Sequence, residues 1–366
     1  MVLWHIYLTR YCNLHCTYCG ADPVFETIPH EPQYELQKLI AFLKMDESPI
    51  INFYGGEPLI RIKNMQSIMD ACLQEIPNIK FVLQTNGLLL SKIPVNYIDK
   101  FHSILVSIDG RPPITNNYRG QKVFQKLKEN LHYITKTCNF KGELIARMTV
   151  SRNSDIFKDV TYLLDPDNDL GFTHVHWQLD ALWNSEPWSD FTTWIQETYN
   201  TGLQHLLTWW KSELLERGKI HGIVPFLGIL TTLLTNSTTS LRCGAGISSY
   251  TISTDGSIIF CPIGPEEPEA IVGTLDSDVK DLKKVHVGEP CTSCEVLDIC
   301  GGRCLYTNFF KPGSENDYYE VCKSTKFLIQ NLEQIKSEII DARKKGLIQE
   351  RDLHYPEINN GTEIIP

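Results

Sequence analysis

No apolar run in this chain of 366 residues approaches the ~18 that a membrane-spanning helix needs. The nearest, Ile223 to Leu234, is interrupted by Pro225, Gly228 and a pair of threonines. The amino terminus carries no basic region leading into an apolar stretch and a cleavage site, so no secretion signal is read. Basic residues are in deficit, 34 Lys+Arg against 44 Asp+Glu, for a net charge of −10 and no long basic stripe. A protein that drew its affinity from nucleic-acid phosphates would need the reverse balance. There is no low-complexity segment. With 42% hydrophobic and 21% charged residues, the chain is neither disordered nor fibrous, and its length suits one large domain and a smaller one.

What the sequence does have is cysteine. There are twelve, and a chain without a secretion signal in a reducing cytoplasm uses them for metal or redox chemistry rather than for disulfides. Three crowd at the amino end, seven fall between Cys243 and Cys322, and Cys72 and Cys138 stand alone. Cys72 sits on a helix pattern between Met69 and Leu73 and reads as a buried structural thiol; Cys138 follows a helix end and is assigned no role.

The first ~180 residues alternate strand-like and helix-like segments, the pattern of repeated β/α units. Strands are expected at Leu3–Leu8, Ile50–Tyr54, Lys80–Thr85, Ser103–Ile108, Leu144–Val150 and His174–Leu179. Amphipathic stretches lie between them at Gln33–Met45, Ile62–Glu75 and Gln121–Thr135. Six such units predict an α/β fold built as a partial (β/α)6 TIM-like barrel, with the loops at the strand carboxyl ends free to build a site. From Trp188 to Thr235 the pattern is helical, and the pair Trp209 and Trp210 reads as packing. Strands around Tyr250–Phe260 form a hairpin over Thr254-Asp255-Gly256-Ser257, and a closing helix is expected over Tyr319–Lys344, with a frayed tail after Tyr355.

Cys12, Cys16 and Cys19 follow the first strand as C-x3-C-x2-C. Thiolates this close on one loop can wrap an iron–sulfur cube, and three ligands in place of four leave one iron open; a zinc knuckle is the other reading. The second strand runs into Gly55-Gly56-Glu57-Pro58, where paired glycines let backbone approach a ligand and the carboxylate can meet an ammonium, although such a run can also be only a tight turn. At the far end, Cys243 and Cys261 flank Gly256, and Cys291, Cys294, Cys300 and Cys304 follow as C-x2-C-x5-C-x3-C, with Cys322 beyond. Seven thiolates exceed one tetrahedral or cubane site, so two further metal centres are expected there.

On these residues the chain resembles the radical S-adenosylmethionine superfamily. The resemblance implies that Cys12, Cys16 and Cys19 hold a [4Fe–4S] cluster whose open iron is chelated by S-adenosylmethionine. It implies that Gly55, Gly56 and Glu57 bind the methionine amino group and that Tyr18 packs by the adenine. Thr85-Asn86-Gly87 and Ser107-Ile108-Asp109-Gly110 end the third and fourth strands as in the same superfamily. By the same carry-over, Ser107 and Arg119 contact the methionine carboxylate or ribose, and the backbone at Leu179 meets the adenine. The second cysteine array is similar to the SPASM domain of peptide-modifying radical enzymes, with two auxiliary [4Fe–4S] clusters. By position, Cys243, Cys261 and Cys304 ligate the first, and Cys291, Cys294, Cys300 and Cys322 the second. The domains expected are a barrel over 1–185, a helical connection over 186–240, the SPASM region over 241–325, and a closing helix and tail over 326–366.

The activity implied is reductive cleavage of S-adenosylmethionine to a 5′-deoxyadenosyl radical that modifies a ribosomally made peptide, by a thioether, a carbon–carbon link or an epimerisation. Archaeal peptide-modifying maturases are the nearest resemblance. Two departures bear on this. Sulfatase-maturing enzymes place a basic aspartate directly after the second SPASM cysteine, where this chain has Pro262; they also supply a fourth ligand to the first auxiliary cluster where this chain has Ser249. The alternatives are oxidation of a protein side chain, as in sulfatase maturation, and a non-enzymatic iron–sulfur electron carrier. The expected partners are a peptide or protein substrate and a low-potential donor such as ferredoxin or flavodoxin; since the sequence starts at the first strand, leader binding is expected from a separate leader-binding protein or from the barrel itself. Neither nucleic acid nor membrane is expected. Asp109, Asp180 and His176 stand at strand ends as weak candidates for an acid or base.

Overall fold

The computed structural model describes residues 1–19, 28–180, 189–264 and 267–353. The expected start of the helical stretch at Trp188 and the tail after Tyr355 lie outside the described residues. The chain divides into two compact units, the first made of Met1–Ser107, Asn116–Ile145 and Cys243–His286, the second of Ile108–Thr115, Ala146–Arg242 and Val287–Pro366.

In the first unit, β1 (Leu3–Tyr7), β2 (Ile50–Tyr54), β3 (Lys80–Thr85) and β4 (Phe101–Ser107) lie side by side and parallel. Every residue of β1 is buried. The connecting helices include α1 (Leu36–Leu43) and α2 (Ile62–Glu75). Trp4 shows how the layers are joined. Fully buried, it meets Phe42 of α1 edge-on at 5.0 Å and Tyr250 in a stack at 5.7 Å, and its indole nitrogen donates to Asp46 at 3.1 Å.

The hairpin expected near Tyr250–Phe260 is present as β8 (Ser249–Ile252) and β9 (Ser257–Ile259), extended by β10 (Ile271–Thr274). Its position was not foreseen: β8 pairs in parallel with β1, from Leu3 opposite Ser249 to Ile6 opposite Ile252, so the order in this unit is β10-β9-β8-β1-β2-β3-β4. The pairing has a physical reason, because β1 would otherwise present an open edge of unpaired backbone.

The second unit holds β5 (Glu143–Val150) from Ala146 onward, β6 (His174–Leu179) and the two-residue β7 (Gly222–Ile223), which pairs in parallel with β6. Helices α3 (Asn200–Arg217) and α4 (Val224–Thr235) pack with the closing helix α5 (Glu315–Lys344). Trp210 is core packing, as expected: it is fully buried, 5.8 Å edge-on to Phe226, and donates to the carbonyl of His221 at 3.0 Å. α5 starts four residues before the expected Tyr319, because Ser314 caps it by accepting from the backbone of Asp317 at 3.1 Å. Polar pairs tie it down, Gln196 to Glu320 at 2.8 Å and Lys211 to Glu338 at 2.6 Å. Among the described residues no helix is long and apolar enough to cross a membrane.

Candidate cofactor and cluster sites

β1 ends and its chain runs through Thr9, Arg10 and Tyr11 into Cys12. The Gly55–Glu57 turn that follows β2 is laid directly on that segment. Gly56 N donates to Thr9 O at 2.9 Å and Glu57 N to Tyr11 O at 2.8 Å. A Cβ on Gly55, which has φ of +135°, would stand 2.2 Å from Thr9 O, and one on Gly56 would stand 2.4 Å from Tyr11 O. The two glycines therefore let one loop dock on the backbone of the other, which sets the base of the cysteine loop.

Glu57 is fully buried, and its carboxylate accepts three hydrogen bonds: from Leu59 N at 3.0 Å, Thr85 Oγ1 at 2.7 Å and Asn86 N at 2.7 Å. It thus ties the β2 turn to the Thr85-Asn86-Gly87 turn at the end of β3. Burial raises its carboxyl to about 7, against the pull of those three bonds. Asn86 passes the connection on, with its amide 2.7 Å from Asn13 Oδ1 and 3.7 Å from Cys12 Sγ. That amide was not singled out beforehand; its contact with the cysteine loop joins residues 74 apart and has no local signature.

Cys12 and Cys19 are exposed and Cys16 is half-buried, with Cys19 N bonded to Cys16 O at 3.0 Å. What solvent exclusion there is pushes the Cys12 thiol up, and the charges of Glu57 and Cys19 add to it. Three accessible thiols on one loop, with an amide N–H beside one sulfur, fit an iron–sulfur cube held from one side. Tyr18 stands next to them. Its ring lies 5.7 Å from that of Tyr118, the Arg119 guanidinium is 5.5 Å above it, and Thr17 N bonds to Tyr118 O at 2.9 Å. So Tyr18 and Arg119, expected at the adenine and at the carboxylate or ribose, form a cation–π pair beside the cysteine loop. Ser107 is the half-buried last residue of β4.

The first unit also holds Cys243 and Cys261, both buried. Ser249 is buried in β8, where its hydroxyl lies 3.1 Å from His5 Nε2, while His5 Nδ1 lies 2.8 Å from the Asn52 amide. This polar row crosses β2, β1 and β8. Pro262 offers only its carbonyl, which accepts from Tyr7 Oη at 2.6 Å. Of the solitary cysteines, Cys72 is buried, and burial pushes its thiol up to about 12; Cys138 is buried where its N–H meets Tyr133 O at 2.9 Å.

In the second unit, Cys291, Cys294, Cys300 and Cys322 all line one partly open cavity. Among the described residues no three His, Cys, Asp or Glu side chains converge as they would on a single ion, so these four thiols surround a space. The donor set and the space fit a cluster. Burial raises the Cys300 thiol to about 11 and pushes Cys322 up as well. Cys291 Sγ has an amide donor, Asn308 Nδ2 at 3.5 Å, and the hydroxyl of Tyr318 at 3.3 Å. Cys304 is buried in this unit at the start of a short helix.

The strand-end carboxylates are also in the second unit. Asp109 is fully buried and accepts from Thr149 N at 3.0 Å, a bond that holds two segments together. Asp180 directly follows β6. Its Oδ2 accepts from Ser151 Oγ at 2.8 Å, and its buried Oδ1 has no hydrogen-bond partner among the described residues. Burial raises Asp180 to about 6; the Ser151 bond opposes that rise and the Asp109 charge adds to it. His176 is fully buried within β6, and Leu179 is that strand's buried last residue.

Residues 6–146 match the model of the Radical SAM superfamily, so the resemblance read from the cysteine triplet and the Gly55–Pro58 turn is borne out. The expected α/β fold class is borne out as well. Among solved structures, the chain is similar to native anSMEcpe with bound AdoMet and Kp18Cys peptide, at a TM-score of 0.71 and 21% identity over 94% of this chain and 99% of that one. It is also similar to Streptococcus suis SuiB bound to S-adenosylmethionine, at 0.59 and 17% over 86% and 75%. These likenesses concern the fold. Curated relatives include the uncharacterized protein MJ0907 of Methanocaldococcus jannaschii, 31% identical over 28% of this chain and 37% of its own length. Another is the GTP 3',8-cyclase of Mycobacterium sp. (strain KMS), 28% identical over 28% of this chain and 31% of its own. The chain thus spans about a third of the length of these two.

Proposed function

We propose that this chain is a radical S-adenosylmethionine enzyme that modifies a ribosomally made peptide. The observation that carries the peptide reading is the cavity walled by Cys291, Cys294, Cys300 and Cys322, a second gathering of thiols besides the amino-terminal triplet. The likeness in fold to anSMEcpe, whose structures include bound peptides, supports the same substrate class.

In this reading Cys12, Cys16 and Cys19 hold a [4Fe–4S] cluster, and Cys291, Cys294, Cys300 and Cys322 hold an auxiliary one. The reduced cluster and S-adenosylmethionine, when bound, supply a 5′-deoxyadenosyl radical that takes hydrogen from an unactivated carbon. The protein's own part is placement and insulation. The Gly55–Glu57 turn is fixed to the cysteine loop by the Thr9 and Tyr11 carbonyls, Tyr18 offers a ring face to the adenine and Arg119 a charge to the carboxylate of S-adenosylmethionine, and Glu57 ties the β3 turn to the β2 turn. A thioether or a carbon–carbon link leaves the peptide short of two hydrogens, whereas an epimer has unchanged mass. Pro262 has no side-chain base, which weighs against the side-chain oxidation of sulfatase maturation. A low-potential electron donor and a leader-binding partner complete the proposal.

The test is anaerobic reconstitution followed by mass spectrometry of a candidate peptide. Iron should approach about eight per chain from these two cubes alone, and about twelve with a further auxiliary cluster. Replacing Cys291 and Cys294 by alanine should remove about four irons and abolish the mass change in the peptide. A wild type saturating at about four irons refutes the auxiliary reading.

A further inference from the structure

A buried arginine faces the four-cysteine cavity. Arg303 is 9% exposed, lies between Gly302 and Cys304 with φ of +55°, and lines the cavity together with the cysteines. Among the described residues its one hydrogen bond is long, from Nη1 to Thr307 Oγ1 at 3.4 Å, and its buried Nε has no acceptor. Among the described residues it pairs with no carboxylate. Arg242 in the same unit is the contrast: also buried, it spends its guanidinium on the Ile299 carbonyl at 2.6 and 3.0 Å and on Thr232 Oγ1 at 2.8 Å. Lys326, on the cavity wall, is already paired with Glu295 at 2.7 Å.

A guanidinium taken out of water needs an anion or a full set of acceptors. Among the described residues Arg303 has neither, and it shares the cavity wall with Cys291, Cys294, Cys300 and Cys322. A four-thiolate iron–sulfur centre is anionic and becomes more so by one charge when reduced. We propose that Arg303 is the built-in countercharge of this centre, a positioning residue that favours its reduced form and so makes the site an electron acceptor. The Asn308 amide, held by Gly288 N at 2.7 Å and Gly288 O at 3.2 Å, and the Tyr318 hydroxyl act in the same sense by placing dipoles at Cys291 Sγ. This inference rests on the auxiliary-cluster reading above.

The test is a redox titration of the reconstituted full chain, followed by electron paramagnetic resonance, for wild type, Arg303→Gln and Arg303→Lys. The Gln variant should lower the reduced-to-oxidised ratio of one auxiliary centre at least tenfold at fixed potential, a fall of about 59 mV for a one-electron couple. The Lys variant should restore most of it. Full iron with an unchanged midpoint in the Gln variant overturns the role of Arg303. Where the Gln variant assembles the centre poorly, the resonance still reports the midpoint of the loaded fraction. Total failure of Gln to load, with Lys loading fully, supports the countercharge; failure of both shows that packing and not charge is required. If Cys291→Ala leaves the iron content of the wild type unchanged, the cluster reading itself has failed.

Discussion

Glu57→Gln separates the structural work of this carboxylate from its charge. The wild-type group accepts from Leu59 N, Thr85 Oγ1 and Asn86 N, all at 2.7–3.0 Å. An amide has only one accepting end. Whichever way it is turned, one backbone N–H, that of Asn86 or of Leu59, faces an NH2 group and loses its acceptor. A buried donor left unmet costs about 1–3 kcal/mol. Against this, the variant no longer buries a charge. The carboxyl sits at about 7 in the folded protein and 4.5 when unperturbed. Its stabilising contribution is therefore complete below the unfolded value and is lost as the pH rises through the folded one. Between about pH 5.5 and about pH 8 the wild type should lose about 2 kcal/mol that the variant does not. In anaerobic denaturant titrations the variant should be the weaker protein at the acid end, and the gap should close by the alkaline end. No gap at either pH, or one that does not change with pH, refutes the assignment of Glu57 as the buried clasp between the two turns.

Arg119→Ala removes the charge over Tyr18 at 5.5 Å and should weaken S-adenosylmethionine binding by about ten- to a hundredfold, with iron content unchanged, as read by equilibrium binding. Asp180→Asn should raise the unfolding midpoint above about pH 6, where the wild-type carboxyl is ionised and its Oδ1 lacks a partner among the described residues, and should have no effect below about pH 4. The sign follows from a folded value raised to about 6, whose stabilising contribution is lost as the pH rises.

Period and spacing are local signals, and they succeeded where the structure is local. Ile50–Tyr54, Lys80–Thr85 and His174–Leu179 are strands at the expected bounds, and Ile62–Glu75 is a helix at its expected bounds. The cysteine triplet and the glycine pair were legible because each lies within a few residues. β8 was recognised as a strand, but not as the neighbour of β1, because a parallel pairing across nearly 250 residues leaves no periodic trace. β7, with two residues, is too short for any alternation. The docking of Gly55 and Gly56 on Thr9 and Tyr11 was likewise invisible, since the glycines advertise a close approach but not what approaches. Arg303 had a visible clue, a cation set between glycine and cysteine inside a metal-ligand array, yet its burial without a carboxylate emerges only in three dimensions.

The central claim is that the triplet at Cys12, Cys16 and Cys19 makes this a radical S-adenosylmethionine enzyme. Its most direct test is to reduce the reconstituted protein with dithionite in the presence of S-adenosylmethionine and to quantify 5′-deoxyadenosine and methionine. Both products should accumulate with wild type and vanish when the three cysteines are replaced by alanine, while the auxiliary iron remains. Fully loaded, fully reduced wild type that forms no 5′-deoxyadenosine, with or without a peptide substrate, would contradict it.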